Sequence, residues 1–151
     1  MQVPQEQVGL VPRASKLDCP PKLLIKAFNL AKKSDYHSYK LGAIISNKFK
    51  GPVITWGLNK NKSSPMQDKY SPIYALGDGF IKSKSIHAEV DAINKLRKNG
   101  LEGTFIFVAR VTIQGNWANS RPCSGCLKAI RDNNIKYMCY YMNGDFYVET
   151  V

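Results

Sequence analysis

The chain has 151 residues, 44% of them hydrophobic, which is enough for one domain with a real core and too apolar for a disordered chain. Its formal net charge is +11, and nine lysines lie between Lys22 and Lys62 against a single acid, Asp35. A field of that sign attracts phosphate, whether on nucleic acid, on nucleotides or on an anionic surface, although a lysine- and asparagine-rich genome composition would produce it unaided. No apolar run approaches the length of a membrane span. No basic segment followed by an apolar one marks a secretory signal, so a cytoplasmic protein is expected.

Residues 1–18 mix Pro, Gln and Gly without periodicity and read as a tail or strap, leaving 19–151 as one domain. Pro20 and Pro21 suit a helix start. Leu24, Ala27, Phe28 and Ala31 repeat at helical spacing, predicting a helix over 20–33. Short apolar runs at 41–45 and 53–56, separated by Lys50-Gly51-Pro52, read as two antiparallel strands. Residues 60–85 form a long polar segment, and a loop of that length inside a compact domain is usually functional.

A second helix begins at His87, buries Val90, Ile93 and Leu96, and stops at Asn99-Gly100. Residues 104–113 are rich in β-branched and aromatic side chains and make a third strand. After a loop over 114–121, Pro122 opens a third helix with Leu127 and Ile130 facing inward, and 135–141 make a fourth strand. A helical crossover sets the third and fourth strands parallel. Asn143-Gly144 is a hairpin signal, so Phe146-Tyr147-Val148 returns antiparallel. The expected class is α/β: a five-stranded mixed sheet with helices on both faces and a C-terminal β-hairpin.

Of four cysteines, Cys123 and Cys126 form a C-x-x-C pair, which in an intracellular chain reads as metal or redox chemistry and not as a disulfide scaffold. Cys139 lies in an apolar run and reads as a small buried hydrophobe. The chemistry concentrates in His87-Ala88-Glu89 and in Pro122-Cys123-Ser124-Gly125-Cys126. One histidine and two cysteines supply three zinc ligands with no convincing fourth. Catalytic zinc keeps a position open, whereas structural zinc is closed by four protein ligands. Thiols three residues apart at a helix start point to one side, and the helix N-terminus favours their thiolate forms. Glu89, outside the ligand set, is free to move protons. A C-x-x-C alone is often a structural half-site or a redox pair, and an H-x-E alone is common. The functional reading rests on both together, in this order, each at a helix start. His37, the other histidine, reads as an ordinary surface or loop residue.

Together these residues resemble the zinc-dependent cytidine deaminase superfamily, with its H-x-E…P-C-x-x-C signature, over residues 20–149. The resemblance implies a three-layer cytidine-deaminase-like fold. It implies Zn2+ held by His87, Cys123 and Cys126, with Glu89 as proton shuttle in the hydrolysis of cytosine to uracil. It further implies that the backbone amide of Ala88 meets the base carbonyl, and that Asn59 contacts sugar or base. Ser120 and Arg121, preceding Pro122, are similar to the Ser-x-Pro-Cys of cytosine-acting members; purine-acting members usually carry Glu-Pro-Cys.

A C-terminal hairpin is similar to that of free cytidine deaminases, plant editing domains and polymer-deaminating toxins. Free cytidine deaminases of that form often carry cysteine where this chain has His87. On that comparison the narrowly favoured substrate is cytosine in single-stranded DNA or RNA. The lysine-rich region would then form a basic groove, and Trp56, Trp117, Tyr140 and Tyr141 would offer stacking faces. The alternative is free cytidine, deoxycytidine or CMP/dCMP, with residues 60–85 as a lid. A third reading, a non-catalytic zinc-bound binding fold, would be expected if Glu89 were absent. An oligomer is compatible with all three.

Overall fold

Continuous burial along the central strands, covered on both faces, and periodic burial along the amphipathic helices give a layered arrangement. It is seen in a computed structural model that describes residues 14–36, 39–62, 64–70, 73–75, 79–81 and 85–151. In chain order the elements are β1 (Ala14–Leu17), α1 (Lys22–Ala31), β2 (Lys40–Ser46), β3 (Val53–Leu58), α2 (Pro65–Tyr70), β4 (Ile73–Ala75) and β5 (Gly79–Ile81). There follow α3 (Ala88–Lys98), β6 (Phe105–Val111), β7 (Trp117–Ala118), α4 (Ser124–Asp132), β8 (Tyr137–Met142) and β9 (Asp145–Thr150).

The main sheet runs β1-β9-β8-β6-β2-β3, with β7 pairing onto β6. As expected, β2 and β3 are antiparallel, and β6 and β8, joined through α4, are parallel with Phe105 opposite Tyr137. The C-terminal hairpin is also present: β8 and β9 are antiparallel with Cys139 opposite Val148. Asn143 and Gly144 both take positive φ, 48° and 93°, as a tight hairpin turn demands.

The expected five strands are β2, β3, β6, β8 and β9, and the sheet has seven because β1 and β7 add to it. Ala14–Leu17, within the stretch read as a tail or strap, pairs with β9, while residues 1–13 lie outside the described residues.

Period-two alternation sends side chains to opposite faces. On one face Ile44, Phe107, Cys139 and Val148 pack under Leu23, Leu24, Ala27 and Phe28 of α1. On the other, Ile45, Ile106, Val108 and Met138 pack under Val90, Ile93 and Leu96 of α3 and Ala129 and Ile130 of α4. Both helices that carry chemistry therefore lie on one face. Gly57 sets the position of α3: a Cβ there would run into the Ala88 carbonyl and the Ala92 amide. The first turn after His87 is thus seated on backbone. No helix among the described residues is long and apolar enough to cross a membrane.

Candidate metal centre and active site

His87 and Cys123 occupy equivalent places. His87 is the N-cap of α3, extended at φ −78° and ψ 152°, and Cys123 is the N-cap of α4, extended at φ −69° and ψ 169°. Each opens a helix whose first amides lack intrahelical acceptors, so two partial positive charges converge on one point. His87 Nδ1 lies 3.2 Å from Cys126 Sγ and 3.8 Å from Cys123 Sγ. The three ligand atoms all fall within 4.8 Å of one another, and no other such group of His, Cys, Asp or Glu occurs among the described residues. Zinc–ligand bonds of about 2.0–2.3 Å place tetrahedral donors roughly 3.5 Å apart, so the trio fits zinc without rearrangement.

The protonation of the trio follows from the hydrogen bonds among its members. Hydrogen bonds from Cys126 and His87 push the exposed Cys123 thiol down to about 3, against the effect of burial. Its donor role toward Cys123, together with burial, pushes the Cys126 thiol up. The hydrogen bond to Cys123 raises His87, while burial opposes it. Ligation requires both thiolates, so metal uptake releases the Cys126 proton. Glu89, in the first turn of α3 and 4% exposed, stands outside the ligand group. Burial pushes its carboxyl above the ordinary value, with the His87 charge opposing.

A cavity of about 200 Å³ opens beside these residues, lined by His87, Glu89 and Cys123 and, across from them, by Tyr39, Arg110, Ser120 and Arg121. Ser120 is buried and fully paired, its hydroxyl donating to the Val108 carbonyl at 2.6 Å and accepting from the Tyr141 amide at 3.0 Å. Arg121 lines the cavity but clasps the Glu149 carboxylate through Nε at 3.1 Å and Nη2 at 2.8 Å. Tyr140 donates its hydroxyl to the same carboxylate at 2.6 Å.

Burial pushes Glu149 up, but the bonds from Arg121 and Tyr140 and the guanidinium charge outweigh it, so the carboxyl lies below its ordinary 4.5. The stabilisation is full above the unfolded-state value and is lost as pH falls through the lower folded one. Wild-type protein should therefore lose urea resistance on acidification below about pH 4.5 more steeply than Glu149→Gln, which should start lower at neutral pH. Parallel acid limbs in the two proteins would contradict this.

Several residues expected at the substrate lie elsewhere. Trp117 stacks on Phe28 at 4.1 Å between centroids and meets Tyr141 and Phe146, in the layer under α1. Tyr140 is 4% exposed and serves Glu149. Neither lines the cavity, because both rings fill core volume. Trp56 is exposed, with the Lys95 ammonium 3.9 Å above its ring, and lies outside the cavity.

Asn59 is buried with its carboxamide engaged inside the fold: Oδ1 accepts from Ser34 Oγ and the Leu41 amide, and Nδ2 donates to the Tyr39 carbonyl. It holds Tyr39 and Leu41, which line the cavity, without lining it itself. Ala88 is fully buried at the first position of α3. His37 lies outside the described residues. Cys139 is buried as expected, and burial raises its thiol.

Two residues that line the cavity or bond one of its lining residues escaped the sequence reading. Arg110 interrupts the apolar strand β6, and a charge in such a run is itself a signal, since burying one unpaired is costly. Gln67, inside α2, has no sequence signal, because nothing local shows that α2 lies against His87.

Residues 19–142 match the family model described as the cytidine and deoxycytidylate deaminase zinc-binding region. The chain belongs to this family of zinc-binding deaminases, and the His-Cys-Cys group is its zinc site. A cytidine deaminase from Burkholderia pseudomallei shares the fold at TM-score 0.57 and 20% identity, covering 85% of this chain and 90% of that one. So does a dCMP deaminase from the cyanophage S-TIM5, solved in complex with dCMP and dUMP. Its TM-score is 0.51 at 22% identity, covering 77% of this chain and 75% of that one. A search of curated protein sequences finds no match.

Proposed function

We propose that this chain hydrolytically deaminates the cytosine of a free nucleotide, with the corresponding nucleoside as the weaker substrate. The observation that carries the reading is the cavity of about 200 Å³ joining Glu89, His87 and Cys123 to Arg110. That volume is below the roughly 300–1,000 Å³ of drug-sized pockets and suits a ligand no larger than one nucleotide. Zinc, when bound, supplies the Lewis acidity that makes water a nucleophile near neutral pH.

Glu89 takes the proton of the attacking water, passes it to the ring nitrogen, and then serves the departing amine. Water and cytosine give uracil and ammonia. The Ala88 amide, at a helix N-terminus, donates to the base carbonyl. The cytidine and dCMP deaminases that share the fold act on free nucleoside and nucleotide, which supports this substrate class over a polymer. So does the engagement of Trp117 with Phe28 and of Tyr140 with Glu149, contacts within the fold that compete with stacking on bases. Four free cysteines accord with a cytoplasmic protein.

Arg110 favours the nucleotide. Its guanidinium lies 5.1 Å from the Tyr39 ring, and among the described residues no carboxylate pairs with it. Arg121, the other arginine on the cavity, is neutralised by Glu149. Arg110 is therefore the cation left to meet a 5′-phosphate. A charge-assisted hydrogen bond is worth about 1.5–3 kcal/mol, so Arg110→Met should lower kcat/KM for CMP or dCMP by about 10- to 150-fold. The loss for cytidine or deoxycytidine should be much smaller.

The deciding assay sets a cytosine-containing single-stranded oligonucleotide beside cytidine, deoxycytidine and their monophosphates, with Glu89→Ala as control. Preferential turnover of monophosphates, reduced by Arg110→Met, is the expected result. Conversion of the oligonucleotide alone would overturn the reading and assign the lysine-rich surface to a polymer.

A further inference from the structure

We infer that α2 is a brace between the two zinc-bearing helices and that Gln67 is a positioning residue for the metal ligand His87. Gln67 is completely buried, and its Oε1 accepts the His87 backbone N–H at 2.8 Å. As an N-cap, His87 has an N–H that points out of the helix, while its carbonyl accepts the Asp91 amide at 3.0 Å inside it. The Gln67 bond thus fixes the main chain on the side that α3 leaves free.

His87 faces the thiols through Nδ1, the ring nitrogen nearer the main chain. Only two side-chain torsions separate that atom from Cα, so a displaced backbone carries over to the metal almost undiminished. At the far end of α2, the Tyr70 hydroxyl donates to Asp132 Oδ2 at 3.1 Å, and Asp132 is the last residue of α4. The helix also packs on both α3 and α4. Six residues therefore tie the helix behind His87 to the helix behind Cys123 and Cys126.

The other half of the Gln67 carboxamide supports this role. Among the described residues its Nε2 is buried with no hydrogen-bond partner. An unpaired buried donor is destabilising, so packing alone would favour an apolar side chain of the same length. Retention of the amide is accounted for by its oxygen. Partners that orient metal ligands typically change metal affinity by about 10- to 100-fold when lost.

The test is the zinc dissociation constant of the full chain, measured by competition with a chromophoric chelator, together with the visible spectrum of the cobalt-substituted protein. Neither readout depends on which cytosine compound is the substrate. Gln67→Met keeps the volume and removes the strong acceptor. Its zinc dissociation constant should rise by about 10- to 100-fold, with shifted cobalt bands. Gln67→Glu keeps an acceptor oxygen and should restore both. Met66→Ala trims the packing of α2 without touching the bond and should change both much less than Gln67→Met does. Should Gln67→Met not fold, Gln67→Asn, whose shorter side chain draws the oxygen back, carries the same expectation. Wild-type zinc affinity and cobalt bands in Gln67→Met or Gln67→Asn would overturn the inference. An equal loss in Met66→Ala would reduce Gln67 to packing.

Discussion

Glu89→Gln is expected to lower kcat by about 10²- to 10⁴-fold and to leave zinc content stoichiometric. The substitution keeps the size of a side chain that is 4% exposed, so the fold around it has no reason to change. It removes the one property a shuttle needs, a site that both accepts and returns a proton. Burial raises the Glu89 carboxyl, which moves it toward the range in which both transfers proceed near neutral pH. Its place outside the ligand trio predicts the retained metal. Uracil formation and zinc by elemental mass spectrometry check the two halves separately. Turnover within tenfold of wild type would remove Glu89 from the chemistry, and loss of zinc would make it a ligand.

The metal-ligand candidates were legible in the sequence because the two cysteines are placed locally and His87 is marked by its own motif at another helix start. Two thiols three residues apart at the start of a helix point together in any fold, and Asn143-Gly144 dictates a hairpin by its own backbone preferences. The β-branched runs gave the five central strands for the same reason. Substrate contacts depend on distant packing, and there letters mislead. A tryptophan that stacks on a base and one that stacks on Phe28 are the same residue type, and Trp117 is the second kind. An asparagine after a strand can face a sugar or tie together Ser34, Tyr39 and Leu41, and Asn59 does the latter. β1 depends on a partner strand more than a hundred residues away in sequence, Ala14 facing Glu149, so no local pattern announces it. Arg110 was readable in principle as a charge inside an apolar strand, yet its aim into the cavity is a tertiary fact.

Cys126→Ala should strip the protein of zinc and make its melting temperature indifferent to chelator. Ligands bound only by the folded state stabilise it by mass action, about 4 kcal/mol at a thousandfold excess over the dissociation constant. For a chain of this size that corresponds to a melting shift on the order of 10 °C. Wild type should show that shift on chelation, and Cys126→Ala should not. Cys123→Ala should lose zinc as completely, since two donors are left in either case.

The metal-free forms should then separate. Cys126 is completely buried between α3, α4 and the sheet, so its loss also empties core volume. Cys123 is exposed at a helix cap and is not among the buried core residues, so its loss empties little core volume. The metal-free Cys126→Ala protein should therefore melt below the metal-free Cys123→Ala protein. Equal melting would mean that the Cys126 sulfur contributes nothing to packing beyond ligation. Stoichiometric zinc in either variant would break the assignment of the trio, because the site would have to be completed by a donor outside it.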